Sequence, residues 1–163
     1  MRRAVIEDLA AARDVIIKTC RTTYYPIHGE AKVEDIISRW HSPNNIEHQI
    51  NSGDALFGVA ILNDECVGHV YAKQSDYEFK IMRLYVLPSA QGKGVGRKLM
   101  AFAIQNHPTA KVVNLEVDEA NEAAIKFYQH LGMSIAGSAA HCGDDSDIPI
   151  LIMSAPCEKL RIN

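Results

Sequence analysis

Arg83-Leu84-Tyr85-Val86-Leu87-Pro88-Ser89-Ala90-Gln91-Gly92-Lys93-Gly94-Val95-Gly96-Arg97-Lys98 reads as a strand end, a short loop and a glycine-rich helix start. The apolar run from Phe79 to Val86 is extended, and Pro88, which has no N–H to give, ends it. Val95, Leu99, Phe102 and Ala103 then share one helical face, so a helix begins near Gly94. Gly92, Gly94 and Gly96 let the backbone come close to a ligand, and the first N–H groups of the helix have no acceptor within it. The helix dipole and the charges of Lys93, Arg97 and Lys98 make this turn an anion cradle. Two other glycine motifs fail on spacing. A Walker A loop counted from Gly92 needs Gly-Lys at 97 and 98, where Arg97 and Lys98 stand, and a dinucleotide fingerprint needs a small residue at Arg97.

The cradle is local, because the chain as a whole carries 17 Lys and Arg against 20 Asp and Glu, a net charge of -3. That balance argues against general binding to nucleic acid or anionic lipid. At 163 residues, with 47% hydrophobic and 23% charged residues, residues 1–163 read as a single globular domain with a real core. Cys20, Cys66, Cys142 and Cys157 form no C-x-x-C pair, and the early charges from Arg2 to Lys18 break up any signal-peptide core. The expectation is a cytoplasmic protein.

Working outward from the cradle, Val5 and Ile6 end a short opening strand, and Leu9, Ala12, Val15 and Ile16 predict a first helix to about Cys20. Thr22 to Gly29, with Pro26, reads as loop. Val33, Ile36, Ile37 and Trp40 give a second helix stopped by Ser42 and Pro43, with a further turn or two through Ile46 and Ile50. Ala55 to Leu62 and Cys66 to Ala72 make a hairpin about Asn63-Asp64-Glu65, and Phe79 to Val86 is the next strand. Lys111 to Val117 is a strand, Ala124, Phe127, Tyr128 and Leu131 lie on a helix ended by Gly132, and Ser134 to Ala139 and Ile148 to Ser154 are the last strands. The order is βααβββαβαββ. Hairpins combined with helical crossovers imply an α/β (α+β mixed) fold: a central mixed, mostly antiparallel sheet with helices on both faces.

Gln91, Gly94 and Gly96, spaced Gln-x-x-Gly-x-Gly directly after Leu84-Tyr85-Val86, resemble the acetyl-CoA-binding motif of the GNAT N-acetyltransferase superfamily. Asn121, then Ala124-Ile125-Lys126-Phe127-Tyr128, then Leu131-Gly132-Met133, resemble the family's other signature, in the family's order. The strong resemblance runs from about Glu78 to Met133. It implies that Gln91, Gly92, Lys93, Gly94, Val95, Gly96, Arg97 and Lys98 form the turn that grips the coenzyme A pyrophosphate. It also implies that Leu84, Tyr85 and Val86 pair with pantetheine, and that Asn121 touches the coenzyme. Asn121 has a separate reading as a helix N-cap.

Acetyl transfer to an amine needs a deprotonated amine, a stabilised oxyanion and a proton for the departing thiolate. The resemblance assigns the proton to Tyr128 and the oxyanion to a backbone N–H near Val86, and it makes Glu116 the general base, with Glu78 in reserve. It implies direct transfer from acetyl-CoA, without a metal, to a primary amine of a small molecule or to a peptide N-terminus or lysine, and family analogy allows a homodimer. Lys80-Ile81-Met82-Arg83 stands where family members often carry an acidic residue. Tyr24, Tyr25 and His28 sit where the family lines its acceptor pocket. The alternative is a non-catalytic coenzyme A sensor or regulatory module. Asp144-Asp145-Ser146-Asp147 does not make a calcium loop, since an EF-hand counted from Asp145 puts Pro149, Ile150 and Pro156 at ligand or turn positions.

Overall fold

The computed structural model describes residues 1–75, 78–139 and 148–162. Its elements in chain order are β1 (Arg2–Arg3), α1 (Leu9–His28), α2 (Glu30–Trp40), α3 (Pro43–Asn51), β2 (Ala55–Leu62), β3 (Glu65–Ser75), β4 (Glu78–Val86), α4 (Val95–Gln105), β5 (Val112–Asp118), α5 (Glu122–His130), β6 (Ser134–Ala139) and β7 (Ile150–Pro156). The strands form one seven-stranded sheet ordered β1-β2-β3-β4-β5-β7-β6. Each neighbouring pair is antiparallel except β4 with β5, which the α4 crossover makes parallel. This is the mixed, mostly antiparallel sheet expected from the sequence.

The period-two alternation of β2 sorts its residues between two cores. Leu56 and Ala60 pack with Val70, Leu99, Leu115 and Tyr128 on the face covered by α4 and α5. Ala55, Phe57 and Val59 pack with Ala12, Ile16, Val33, Ile37 and Ile46 on the face covered by α1, α2 and α3. Apolar burial on both faces is the main stabilising term and holds the sheet rigid between the two helical layers.

Three local expectations are corrected. The opening strand is only Arg2–Arg3, because the Asp8 carboxylate accepts the Val5 N–H at 2.9 Å and the Arg2 guanidinium at 2.6 Å, turning Val5 and Ile6 into a helix entry. Thr22 to His28 is helix, not loop. Pro26 lacks an N–H for its helical bond but does not end α1, and Gly29, at φ 80°, terminates it. The turn or two through Ile46 and Ile50 is a separate helix, α3, with Ser42 as N-cap accepting the Asn45 N–H at 3.3 Å and Pro43 in its first turn. The order is therefore βαααβββαβαββ. The polar segment from His141 to Asp147, including Cys142 and the acidic run, lies outside the described residues.

Candidate functional site

The parallel pairing of β4 with β5 runs from Glu78 opposite Val112 to Ile81 opposite Leu115, and stops there. On its other edge β4 pairs Ile81 with Ala72 and Arg83 with Tyr71, so Met82 is an extra residue. This bulge bends β4 away from β5 beyond Ile81 and opens a gap in the middle of the sheet. A cavity of about 770 Å³ fills the gap. Leu84, Tyr85, Val86, Gln91, Gly92, Gly94, Val95, Gly96, Arg97, Glu116, Asn121 and Tyr128 all border it, although they come from five consecutive segments of the chain.

The direction of the β4 backbone follows from one bond. The Leu87 N–H reaches Val67 O at 2.9 Å, toward β3. Alternation along a strand then turns the N–H and C=O groups of Val86 and Leu84 the other way, into the gap. The Gln91 side chain donates to Val86 O at 3.0 Å, tying the loop to the strand end. Gln91 thus shapes the turn as well as bordering the cavity.

At the turn, Gly92 and Gly94 have φ of 73° and 76°, backbone that L side chains rarely adopt. Gly94 is the N-cap of α4 and supplies no side-chain cap, so the N–H groups of Val95, Gly96 and Arg97 project from the helix start without an acceptor in it. Gly96 has a packing role. A Cβ there would lie 3.0 Å from the Phe127 ring, so its absence lets α4 close on α5. The turn fits an anionic group held by main chain. Lys93 and Lys98 are exposed and do not border the cavity, whereas Arg97 does.

Tyr128 is 7% exposed on α5, and among the described residues none hydrogen-bonds its hydroxyl. Burial pushes its phenol well above the ordinary range, with Tyr24 adding to the effect, so it stays protonated at neutral pH. Glu116 borders the cavity from β5, and Lys80 Nζ lies 2.5 Å from its Oε1. Glu78 stands at the far end of β4, about 26 Å along the strand from Val86 at ordinary strand rise, and takes no part in the cavity. Asn121 fulfils both of its readings. Its Oδ1 accepts the Ala124 N–H at 3.1 Å as N-cap of α5, and its Nδ2 faces the Tyr24 hydroxyl at 3.4 Å across the cavity.

The helical last turns of α1 divide the three residues proposed for the acceptor side. Tyr24 borders the cavity, while Tyr25 turns away and donates to Glu34 at 2.5 Å. His28 stacks on Tyr24 with centroids 6.1 Å apart and bonds the carboxylate of Asp118, which is 8% exposed. Asp118 escaped the sequence reading because its partner is 90 residues away. Arg83, Thr19 and Thr23, which also border the cavity, were missed because only the packing of α1 on the sheet brings them together. Among the described residues no group of three or more His, Cys, Asp or Glu could hold a metal ion.

Residues 18–133 match the model of the acetyltransferase (GNAT) family. The chain is 25% identical over 141 residues to the spermidine N(1)-acetyltransferase of Thermoplasma acidophilum, covering 83% of this chain and 88% of that one. It is 38% identical over 73 residues to the peptidyl-lysine N-acetyltransferase YiaC of Escherichia coli, a match spanning 45% of this chain and 47% of that relative. The fold superposes with a TM-score of 0.82 on the PaiA N-acetyltransferase of Thermoplasma acidophilum in complex with coenzyme A, at 24% identity over 95% of this chain and 96% of that one.

Proposed function

Because the chain belongs to the GNAT family of acetyltransferases, acetyl-CoA-dependent N-acetyl transfer is its chemistry, and we propose that it moves the acetyl group directly to a primary amine of a small molecule or peptide terminus. The observation that carries this reading is the single cavity in which the glycine turn, the open edge of β4, Tyr128 and Glu116 meet. The sensor alternative is not favoured, since the named relatives are enzymes. We read residues 1–163 as one domain of this kind.

In this reading the N–H groups at the start of α4 and Arg97 hold the pyrophosphate, and Leu84 and Val86 present their main-chain groups to pantetheine. The Val86 N–H polarises the thioester carbonyl. Tyr128 keeps its proton until the thiolate leaves and then donates it. Glu116 takes the proton from the acceptor amine, either directly or through water. His28, which the buried Asp118 carboxylate orients and which stacks on Tyr24 behind the cavity wall, is a second candidate proton acceptor, reached through water past Tyr24. The free thiols of Cys20, Cys66 and Cys157 fit a reducing compartment such as the cytoplasm.

The test is calorimetric titration with acetyl-CoA, followed by thiol release on addition of amines, for the wild type and for Glu116→Gln and His28→Asn. Binding with amine-dependent release is the expected result. The variant that lowers kcat and removes the acidic limb of its pH profile identifies the base. A folded protein that binds no acetyl-CoA overturns the reading.

A further inference from the structure

Arg83 follows the Met82 bulge on β4 and has the same parity as Tyr85, so it lies on the sheet face covered by α1 and α3, across β4 from the glycine turn. It is half-buried and borders the cavity. Its Nη2 donates to Gln49 Oε1, its Nη1 faces His41 Nδ1 at 3.3 Å, and its guanidinium sits 5.1 Å from the centre of the Tyr71 ring. No carboxylate among the described residues pairs with it.

Its neighbours are uncharged. Burial and the Arg83 charge hold His41 down to about 3, and they push the wholly buried His69 well below its ordinary value. Gln49 and Thr19 have no ionisable group. Two buried donors on this side of the cavity, Arg83 Nε and Thr19 Oγ1, have no hydrogen-bond partner among the described residues. An unpaired cation with idle donors is costly to bury unless an anion joins it. One formal charge on a planar fork matches a monoanionic carboxylate.

We propose that Arg83, with Thr19, receives a carboxylate on the acceptor, so that the substrate is an amine that also bears a carboxylate group. The inference rests on the acetyltransfer reading above. Arg83 and Val86 are three residues apart on β4, about 10 Å at strand rise. An amino acid with its amine and its carboxylate at opposite ends of a chain of several carbons can therefore hold its amine toward Val86 and its carboxylate toward Arg83. A polyamine or a lysine side chain without a nearby carboxylate would bring a second positive charge to a cation that has none to balance it.

The experiment measures thiol release from acetyl-CoA with straight-chain amino acids of two to six carbons, each paired with its own primary amide, and with spermidine. At least one acid is expected to exceed its amide tenfold or more in kcat/KM, the difference lying mainly in KM. Arg83→Gln brings that ratio close to one, Arg83→Lys restores part of it, and Thr19→Val, nearly the same shape, lowers it. A thermal melt with the same acids in the presence of coenzyme A gives a readout independent of turnover, with a shift for the wild type that Arg83→Gln loses. Amides or spermidine used as well as or better than every acid, or an acid-over-amide ratio that survives Arg83→Gln, overturns the carboxylate site while leaving acetyl transfer standing. Failure to bind acetyl-CoA overturns the parent reading instead, and the acid-dependent melt still decides the fate of the Arg83 site.

Discussion

Tyr128 combines burial, a hydroxyl with no bond to another described residue and a place on the cavity wall. Those properties suit a group that must hold its proton through the catalytic cycle and release it only to a thiolate. Tyr128→Phe keeps the ring and its packing on Phe127, and kcat is expected to fall by about 10²–10⁴. The dissociation constant for acetyl-CoA should change little, so steady-state kinetics beside calorimetry separates the two effects. Gly96 makes a contrasting case in which the missing side chain serves packing, beside the N–H it offers at the helix start. Gly96→Ala places a methyl 3.0 Å from the Phe127 ring and is expected to destabilise the fold by about 1–3 kcal/mol, seen as a lower urea midpoint at unchanged slope. A glycine motif read from sequence as a ligand device thus includes one member whose contact is helix packing.

Among the elements, the bulged half of β4 and the helix α5 do most to place the site. Asn121 caps α5 and reaches Tyr24 from the same side chain, and two substitutions pull those roles apart. Asn121→Ala removes both and should cost about 1 kcal/mol of stability in chemical denaturation. Asn121→Ser keeps the cap and should hold stability within a few tenths of that of the wild type, while its shorter side chain no longer meets Tyr24. A raised acceptor KM in Asn121→Ser would assign the Tyr24 contact to substrate positioning, and an unchanged KM would leave the residue a cap alone. The sequence was readable here because a cap and a glycine turn are local events, coded within four or five residues. It was not readable at α1, where Pro26 and the polar residues around it pointed to loop. Packing of Tyr24 and Tyr25 against the core beneath the sheet held the last turns helical, and only that helix divides Tyr24 from Tyr25.

The molecule as a whole carries buried, neutral histidines beside an uncompensated arginine, and its stability should depend on acid accordingly. His41 titrates near 6.5 when unfolded and at about 3 when folded. Between those values the unfolded chain binds more protons, so stability is full above about pH 6.5 and falls as the pH drops. From pH 7 to 5 His41 alone should cost about 2 kcal/mol, and the buried His69 adds a loss of the same sign. Urea titrations at pH 7 and pH 5 measure it, and His41→Gln should flatten the difference. A tightly bound acetyl-CoA should shift the whole curve upward, by about 2.7 kcal/mol at a hundredfold excess over its dissociation constant.

The elements of the sheet, the glycine turn and the family signature on α5 were all present in the order and spacing of residues, because each arises from neighbours in the chain: a strand parity, a helical stripe, a run of glycines. The gap between β4 and β5 was not, since the Met82 bulge exists only through the register of β4 against β3. The meeting of His28 with Asp118, and of Arg83 with His41 and Gln49, joins side chains 34 to 90 residues apart. Such pairs depend on how α1 and α3 settle on the sheet, a packing outcome with no local signal, and it is there that the wall of the cavity opposite α4 and α5 is decided.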